Sequence, residues 1–321
     1  MVKKAELHVH LEGTAPPALV RKMAARNGAK LDPTTFKSGG EFAWSNFWEF
    51  LDCYDKAAAT ILTKDDYRLI TYDYLARCAK ENTIYVEMFS SPDHAAEVGM
   101  SYTDHLEGIA AGIDDARLEF GIEGRIIVTC VRHLGAERAL AIARLVALTP
   151  HPYVVGFGMG GDESRFHPDD FAAAFNLVTK AGYQTTSHAG EFSGPESIRA
   201  SLAALPISRV GHGVRAIEDP ELLEELAYRR IPLELCPGSN IATGLYKSWE
   251  KHPFRKFMDT GCLVTLNSDD PPYFGTSIGH EYEQAAKIFG LSKADLKNIT
   301  RNAISAAFCG EELKEKLLSC L

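Results

Sequence analysis

Residues 154–191, VVGFGMGGDESRFHPDDFAAAFNLVTKAGYQTTSHAGE, decide the fold class that the sequence predicts. The segment opens with a short apolar run at 154–161, continues with an amphipathic helical pattern at 169–181 that Pro168 precedes, and ends with a second short run at 184–191. Short apolar runs indicate buried strands, and a proline at this position favours a helix start. This order of strand, helix and strand is typical of parallel sheets.

The same alternation recurs along the chain. Amphipathic helices separate most of the apolar runs, for example at 219–230, where Asp219 can cap the helix start. About eight such units favour an α/β fold of the (β/α)8 TIM barrel type over a doubly wound open sheet. We predict one barrel domain over residues 1–321. The predicted strands are 5–11, 83–91, 125–132, 154–161, 184–191, 209–213, 232–240 and 263–270.

Residues 14–80 are too many for one crossover and predict extra helices inserted after the first strand. This segment carries an aromatic cluster that needs burial, which comprises Phe42, Trp44, Phe47, Trp48 and Phe50. The rings either form the core of the insertion, which we favour, or cover the mouth of the barrel. The sequence leaves open whether the insertion moves as a lid.

Composition limits the class of partner and the location. The 43 acidic and 34 basic residues give a formal charge of −9, which repels nucleic acids and anionic membranes, so we expect a small-molecule partner. The start, MVKKAELHVHLEG, lacks the apolar stretch of a signal peptide, and no run of about 18 apolar residues predicts a membrane span. The seven scattered cysteines lack CxxC spacing and indicate reduced thiols. We expect a cytoplasmic protein.

Metal-binding side chains end several predicted strands, at the face where barrels carry their active sites. His8 and His10 end the first strand, and their two-residue spacing places both imidazoles on one side. His188 ends the fifth strand, and the carboxyl group of Glu191 follows three residues later. Each motif alone fits an ordinary strand end or turn, but the presence of both motifs on one predicted face favours a shared site.

Two further motifs end the sixth and eighth strands. His212 lies between glycines in VGHG at 210–213, which leaves room for a ligand or a water. Asp269 and Asp270 form a carboxylate pair that is costly to place at a strand end unless a cation or hydrogen-bond donors receive it. Three histidines and an aspartate suit Zn²⁺ with one position left for water, and iron, cobalt or manganese fit the same donors.

Five motifs, taken together, resemble those of the adenosine deaminase family of metal-dependent amidohydrolases. They are HVHLEG at 8–13, GGDE at 160–163, SHAGE at 187–191, VGHG at 210–213 and LNSDDP at 266–271. The set spans nearly the whole chain in the family's order and is highly specific, although each piece is not. The resemblance implies a zinc-dependent hydrolytic deaminase of purines.

The resemblance also implies a role for each matching residue. One zinc ion per chain would be bound by His8, His10, His188 and Asp269. His212 would orient and deprotonate the attacking water. Glu191 would donate a proton to purine N1, which requires burial or a neighbouring carboxylate to raise its pKa.

The implied substrate contacts complete the predicted site. Asp270 would share a hydrogen at purine N7, the Gly161 backbone would meet N3, and His10 would also contact the substrate. Glu12 resembles the group that meets the ribose 5′-hydroxyl, although nucleoside deaminases often carry Asp there. Its extra methylene either reaches a ribose hydroxyl or fills the space of the sugar.

These residues predict a deaminase but leave its substrate open. We predict conversion of adenosine and 2′-deoxyadenosine to the 6-oxopurine nucleoside, inosine for adenosine, with release of ammonia. HGVRAIED at 212–219 and NSDDPPYFG at 267–275 resemble the adenine deaminase branch, whereas GGDE resembles the nucleoside branch. Deamination of adenine to hypoxanthine, or of an N6- or 5′-modified adenine derivative, is therefore the alternative.

Two other classes fit the motifs less well. Barrels that hydrolyse esters, lactones or phosphates often use two metals bridged by a modified lysine, and no lysine ends a predicted strand. A catalytically silent nucleoside-binding relative would be expected to lack part of the ligand set, which is complete here.

Asp162 and Glu163 are interpreted as support for the purine-facing loop or as helix caps, and the oligomeric state is not predicted. The histidines outside the motifs are interpreted as structural or surface residues: His94, His105, His133, His151, His167, His252 and His280.

Overall fold

The computed structural model describes residues 2–321 and contains eight parallel strands that pair in chain order. A parallel bridge between Val9 and Asp269 joins the segments that follow the first and last strands, so the two edges of the sheet meet. The predicted (β/α)8 TIM barrel is confirmed. The strands are β1 Lys4–Glu6, β2 Thr83–Ser90, β3 Glu123–Val131, β4 Val154–Gly160, β5 Gln184–Ala189, β6 Arg209–His212, β7 Leu233–Leu235 and β8 Val264–Leu266.

Helices surround the sheet and fill the predicted insertion. The first three α-helices lie within residues 14–80, as the length of that segment predicts. No helix among residues 2–321 has both the length and the apolar character that a bilayer span requires. The helices are α1 Pro17–Asn27, α2 Phe47–Ala58, α3 Lys64–Lys80, α4 Pro92–Glu97, α5 Tyr102–Phe120, α6 Ala136–Leu148, α7 Ala172–Lys180, α8 Pro195–Ala204, α9 Pro220–Arg229, α10 Pro237–Ala242, α11 Phe254–Asp259, α12 Pro271–Phe274, α13 Ile278–Ile288, α14 Lys293–Ala306 and α15 Glu311–Ser319.

Three strands are markedly shorter than the sequence predicts. The first, predicted over 5–11, ends at Glu6, so His8 and His10 follow it rather than end it. The backbone explains the differences in the other two. The predicted strand at 232–240 ends at Leu235, because Pro237 begins α10. The predicted strand at 263–270 ends at Leu266, and Asp269 has a φ of 63°, which lies outside the strand region. Both predictions extended a strand into residues that form the carboxyl face of the barrel.

Local signals predicted some termini correctly. The Asp219 side chain accepts a hydrogen bond of 3.0 Å from the Leu222 backbone N–H and caps α9, as expected. All seven cysteines lie within the described residues and are free thiols, of which six are buried, in agreement with the expected reduced state.

A buried charge network crosses the barrel interior. The Arg209 guanidinium on β6 lies 2.7 Å from a Glu87 carboxylate oxygen on β2 and 2.5 Å from one of Glu234 on β7. All three side chains are at most 1% exposed, and the guanidinium also lies 3.5 Å from the centre of the Phe308 ring. Glu234 in turn contacts His8, so this network connects the barrel interior to the carboxyl face.

Replacing Arg209 with Met is expected to lower the free energy of unfolding by about 3–5 kcal/mol, because it leaves two buried carboxylates without their shared cation. Urea unfolding of both proteins measures the difference. Arg255→Met is the matched control, since it removes only an exposed ion pair with Asp259 and should cost less than about 1 kcal/mol. Equal losses in the two variants would contradict the expected effect.

Candidate active site

Four predicted metal ligands converge at the carboxyl face from three separate parts of the chain. His8 and His10 follow β1, His188 lies in β5, and Asp269 follows β8. One donor atom from each lies within 4.8 Å of all the others. The His10 Nε2 is 3.1 Å from His188 Nε2 and 3.3 Å from Asp269 Oδ1, while the His8 Nε2 is 3.5 Å from that same oxygen. The sequence therefore predicts correctly that these side chains meet.

Hydrogen bonds fix the orientation of two of the rings. The His8 Nδ1–H donates to Glu234 at 2.8 Å, and the His188 Nδ1–H donates to the Met159 carbonyl at 2.7 Å. In the neutral form of each ring, this leaves the lone pair of Nε2 facing the centre of the cluster. Backing of an imidazole by a carboxylate or a carbonyl is typical of metal-ligating histidines, because it sets the tautomer.

The cluster fits a divalent cation. The His8 Nε2 is buried and has no hydrogen-bond partner, and the nitrogens of His10 and His188 face each other at 3.1 Å. Burial lowers the pKa of His10 to about 4 and that of His188 well below its ordinary value, so both rings stay neutral. Three nitrogen donors and one carboxylate match the ligand chemistry of zinc.

Glu191 lies beside this cluster in an environment that keeps it protonated. Its side chain is 10% exposed, and Oε2 is 3.5 Å from His212 Nε2. Burial, together with the negative charges of Asp269 and Glu163, raises its pKa well above the ordinary value. The shift has the direction that a proton donor at neutral pH requires.

His212 ends β6 and can accept a proton. Burial, together with the field of His8, lowers its pKa to about 3, so the ring is neutral. Its Nε2 lies 3.5 Å from Glu191 and 3.9 Å from Asp269, and its buried Nδ1 has no hydrogen-bond partner. A neutral imidazole and a protonated carboxyl group therefore lie side by side, as a base and an acid.

Asp270 and Gly161 lie in the wall of the same cleft. Burial and the neighbouring Asp269 raise the pKa of Asp270 well above its ordinary value, and its Oδ1 has no hydrogen-bond partner. The backbone of Gly13 approaches Asp270 so closely that an added Cβ would lie 1.8 Å from Oδ1. Gly161 has a φ of 95°, which favours glycine. Both residues are available to a bound molecule.

These groups open into a cleft of about 740 Å³, including its mouth. The predicted site residues His10, Glu12, Gly161, His188, Glu191, His212, Asp269 and Asp270 line it. Phe47 and Phe50 of α2 form part of its apolar wall, and Phe47 packs against Phe192 with ring centres 4.2 Å apart. Phe47 and Phe50 therefore pack within the insertion and also line the barrel mouth. Trp48 is 57% exposed, so the expected burial of the whole cluster is wrong for this residue.

Glu12 is held by the protein on several sides. Its Oε1 accepts hydrogen bonds from Ser90 Oγ at 2.6 Å, from the Tyr67 hydroxyl at 3.3 Å and from the Ser91 N–H at 3.3 Å. Its Oε2 accepts from the Tyr54 hydroxyl at 3.3 Å. With 3% of the residue exposed, the carboxylate serves mainly to bind protein groups at this end of the cleft.

Two histidines that the sequence analysis placed among structural or surface residues, His94 and His133, also line the cleft. The His94 Nε2 lies 3.1 Å from Asp55, and its buried Nδ1 has no hydrogen-bond partner. The His133 Nδ1 accepts from the Asp162 N–H at 3.4 Å. Both histidines follow strand ends, β2 and β3, and this position was the signal that could have identified them.

Comparisons with known proteins agree with this site. The adenosine deaminase family model matches residues 3–321. A protein of Chelativorans sp. named adenine deaminase is 46% identical over 100% of this chain and 98% of its own length. The crystal structure of adenine deaminase from Arthrobacter aurescens superposes with a TM-score of 0.92 at 27% identity, covering 99% of this chain and 98% of that one.

A zinc-bound amidohydrolase from Burkholderia ambifaria superposes with a TM-score of 0.89 at 27% identity, covering 99% of this chain and 89% of that one. The family match and the identity over the full length, together with the donor cluster at the carboxyl face, lead to one assignment. The chain belongs to the adenosine deaminase family and is a metal-dependent hydrolase that acts on a C–N bond of a cyclic amidine.

Proposed function

We propose that this chain is an adenine deaminase, which converts adenine and water to hypoxanthine and ammonia. The observation that carries the proposal is the state of Glu12, whose carboxylate accepts four hydrogen bonds from the protein. A carboxylate engaged in this way fills space and offers little to a ribose hydroxyl. The relative that is 46% identical is itself named adenine deaminase, which supports the alternative substrate that the sequence left open.

The proposed metal is one zinc ion per chain, held by His8, His10, His188 and Asp269. When bound, zinc lowers the pKa of a water to about 7 and so makes a nucleophile available at neutral pH. The donor chemistry of the cluster and the bound zinc in the Burkholderia structure support this choice.

The proton transfers use two side chains of this chain. His212, which is neutral, accepts a proton from the water that attacks purine C6. Glu191, which is protonated, donates its proton to N1, where electrons accumulate as the C6–N1 double bond opens. The protonated His212 then returns its proton to the 6-amino group, the C6–N6 bond breaks, and the 6-hydroxyl proton passes to the Glu191 carboxylate, so ammonia and the 6-oxopurine are formed and both side chains regain their starting states. The purine ring acquires little net negative charge, because the proton from Glu191 reaches N1 as the electrons accumulate there.

Asp270 and Gly161 orient the ring in this proposal. Since burial keeps Asp270 protonated, its carboxyl group can donate a hydrogen bond to N7. The Gly161 N–H would donate to N3, since Gly161 lines the cleft. N7 lies on the edge that also carries the 6-amino group, and N3 lies on the opposite edge, so the two contacts recognise a purine ring without requiring a sugar.

The deciding experiment compares adenine with adenosine, 2′-deoxyadenosine and N6- or 5′-modified derivatives on the zinc-loaded protein. Ammonia release and the loss of the 6-amino absorbance are followed together. We expect kcat/KM for adenine to exceed that for adenosine by at least about 10²-fold, because the sugar meets a closed end of the cleft. Equal or faster turnover of adenosine would overturn the proposal and favour the nucleoside deaminase alternative.

A further inference from the structure

Glu163, which follows β4, accepts hydrogen bonds from the loop that carries Glu191. Its Oε2 accepts from the backbone N–H groups of Glu191 at 3.1 Å, Phe192 at 2.9 Å and Ser193 at 2.9 Å. Its Oε1 accepts from the N–H of Gly190 and from Ser197 Oγ. One carboxylate therefore satisfies four consecutive amides.

Few other arrangements would satisfy these amides. Four successive N–H groups that converge form a concavity for an anion, and Gly190 makes the turn possible with a φ of 70°. An added Cβ at Gly190 would lie 2.3 Å from Ile198 Cδ1, so the loop also packs closely against α8. Glu163 is 5% exposed, so loss of its carboxylate leaves donors at a poorly hydrated position, which is costly.

The contact also links two parts of the carboxyl face. Glu163 follows β4, whereas Glu191 follows β5, and the hydrogen bonds join the loops after these neighbouring strands. Glu163 is not among the residues that line the cleft, so its carboxylate acts on the loop rather than on a bound purine. Its position therefore decides where the Glu191 backbone lies, and hence where the Glu191 carboxyl group meets N1.

We propose that Glu163 is a positioning residue for the proton donor, which holds the 190–193 backbone so that the Glu191 carboxyl group faces the reacting ring. This inference rests on the proposed function. A displacement of about 1 Å at a reacting group costs on the order of 10²-fold in rate. Binding of the purine depends on other parts of the cleft and changes less.

The test is Glu163→Gln in the full-length, zinc-loaded enzyme. Glutamine keeps the length of the side chain. Its NH₂ group, however, must face either the Gly190 N–H or the three N–H groups from which Oε2 accepts hydrogen bonds in the wild type, and a donor cannot accept from them. We expect kcat for adenine to fall by about 10²-fold, with KM changed less than about threefold and zinc content unchanged. The matched control is Glu196→Gln, an exposed carboxylate that accepts from the Gly194 N–H and should leave kcat unchanged.

A double-mutant cycle with Glu191→Gln separates positioning from a general structural role. If Glu163 acts through Glu191, adding Glu163→Gln to the Glu191→Gln enzyme lowers the residual kcat no further. An equal loss in both backgrounds, or an unchanged kcat in Glu163→Gln alone, overturns the inference. A wild-type enzyme that prefers adenosine overturns only the proposed substrate, and the same cycle is then measured with adenosine.

A second measurement covers the case in which Glu163→Gln does not fold. Hydrogen exchange of the wild-type holoenzyme, followed by mass spectrometry, reports on the amides of residues 190–193. We expect these amides to exchange far more slowly than those of exposed loop residues, because each donates to a buried carboxylate. Exchange as fast as in an exposed loop overturns the inference.

Discussion

Replacing Glu191 with glutamine is expected to lower kcat for adenine, the proposed substrate, by about 10² to 10⁴-fold and to leave the zinc content unchanged. The carboxyl group is not one of the four proposed ligands, so the metal site stays intact. Glutamine matches the size of glutamic acid but cannot transfer a proton to N1. Steady-state kinetics on the zinc-loaded variant, together with metal analysis, measure both quantities.

The control for this variant is Glu196→Gln, which changes an exposed carboxylate on the following helix and should leave kcat unchanged. A Glu191→Gln enzyme with wild-type turnover would contradict the proposed proton donor. Loss of zinc in the same variant would instead place Glu191 among the ligands, an arrangement that its closeness to His212 and Asp269 makes worth testing.

The parts of the site that the sequence predicts are those encoded in local patterns. The two-residue spacing of His8 and His10 places both rings on one side of the chain, and the glycines around His212 signal a tight turn. His188 and Asp269 join them because parallel strands of a barrel end at one face. The meeting of these five side chains at one face could thus be predicted before any contact was known.

The residues that sequence analysis missed depend on contacts between distant segments. Glu234 lies in the apolar run PLELC, and its roles as hydrogen-bond partner of His8 and ion-pair partner of Arg209 follow only from the closure of the barrel. Glu163 was interpreted as a loop support or a helix cap, and its four amide partners lie 27 to 30 positions away. Such contacts leave no periodic signal.

The contacts of Glu12, which bear on substrate specificity, could not be predicted from the sequence for the same reason. The sequence left two uses for its extra methylene, and the choice depends on the hydroxyls of Tyr54, Tyr67 and Ser90, which come from three other elements. A pattern of residues within HLEG cannot contain that information. The sequence therefore predicts the type of reaction more fully than the substrate. The reacting groups lie in short sequence motifs, whereas the residues of the cleft wall come from distant segments of the chain.

Replacing His188 with alanine is expected to lower zinc affinity by at least about 10²-fold and to reduce turnover of adenine by more than about 10³-fold. The ring supplies one of four donors, and its Nδ1 is already fixed by the Met159 carbonyl, so no neighbouring group replaces it without rearrangement. Metal analysis after dialysis against a chelator of known affinity measures the first effect, and ammonia release with added zinc measures the second. The same analysis on the wild type tests the proposed ratio of one ion per chain.

His280→Ala is the matched control, because it also removes one imidazole, which packs beside Trp249 and belongs to none of the possible metal clusters among residues 2–321. It should retain wild-type zinc content and turnover. Wild-type zinc affinity in His188→Ala would contradict the proposed ligand set. Normal affinity with lost turnover would show that His188 acts on the purine instead, since its ring also lines the cleft. The two measurements together therefore distinguish a metal ligand from a substrate contact at the same position.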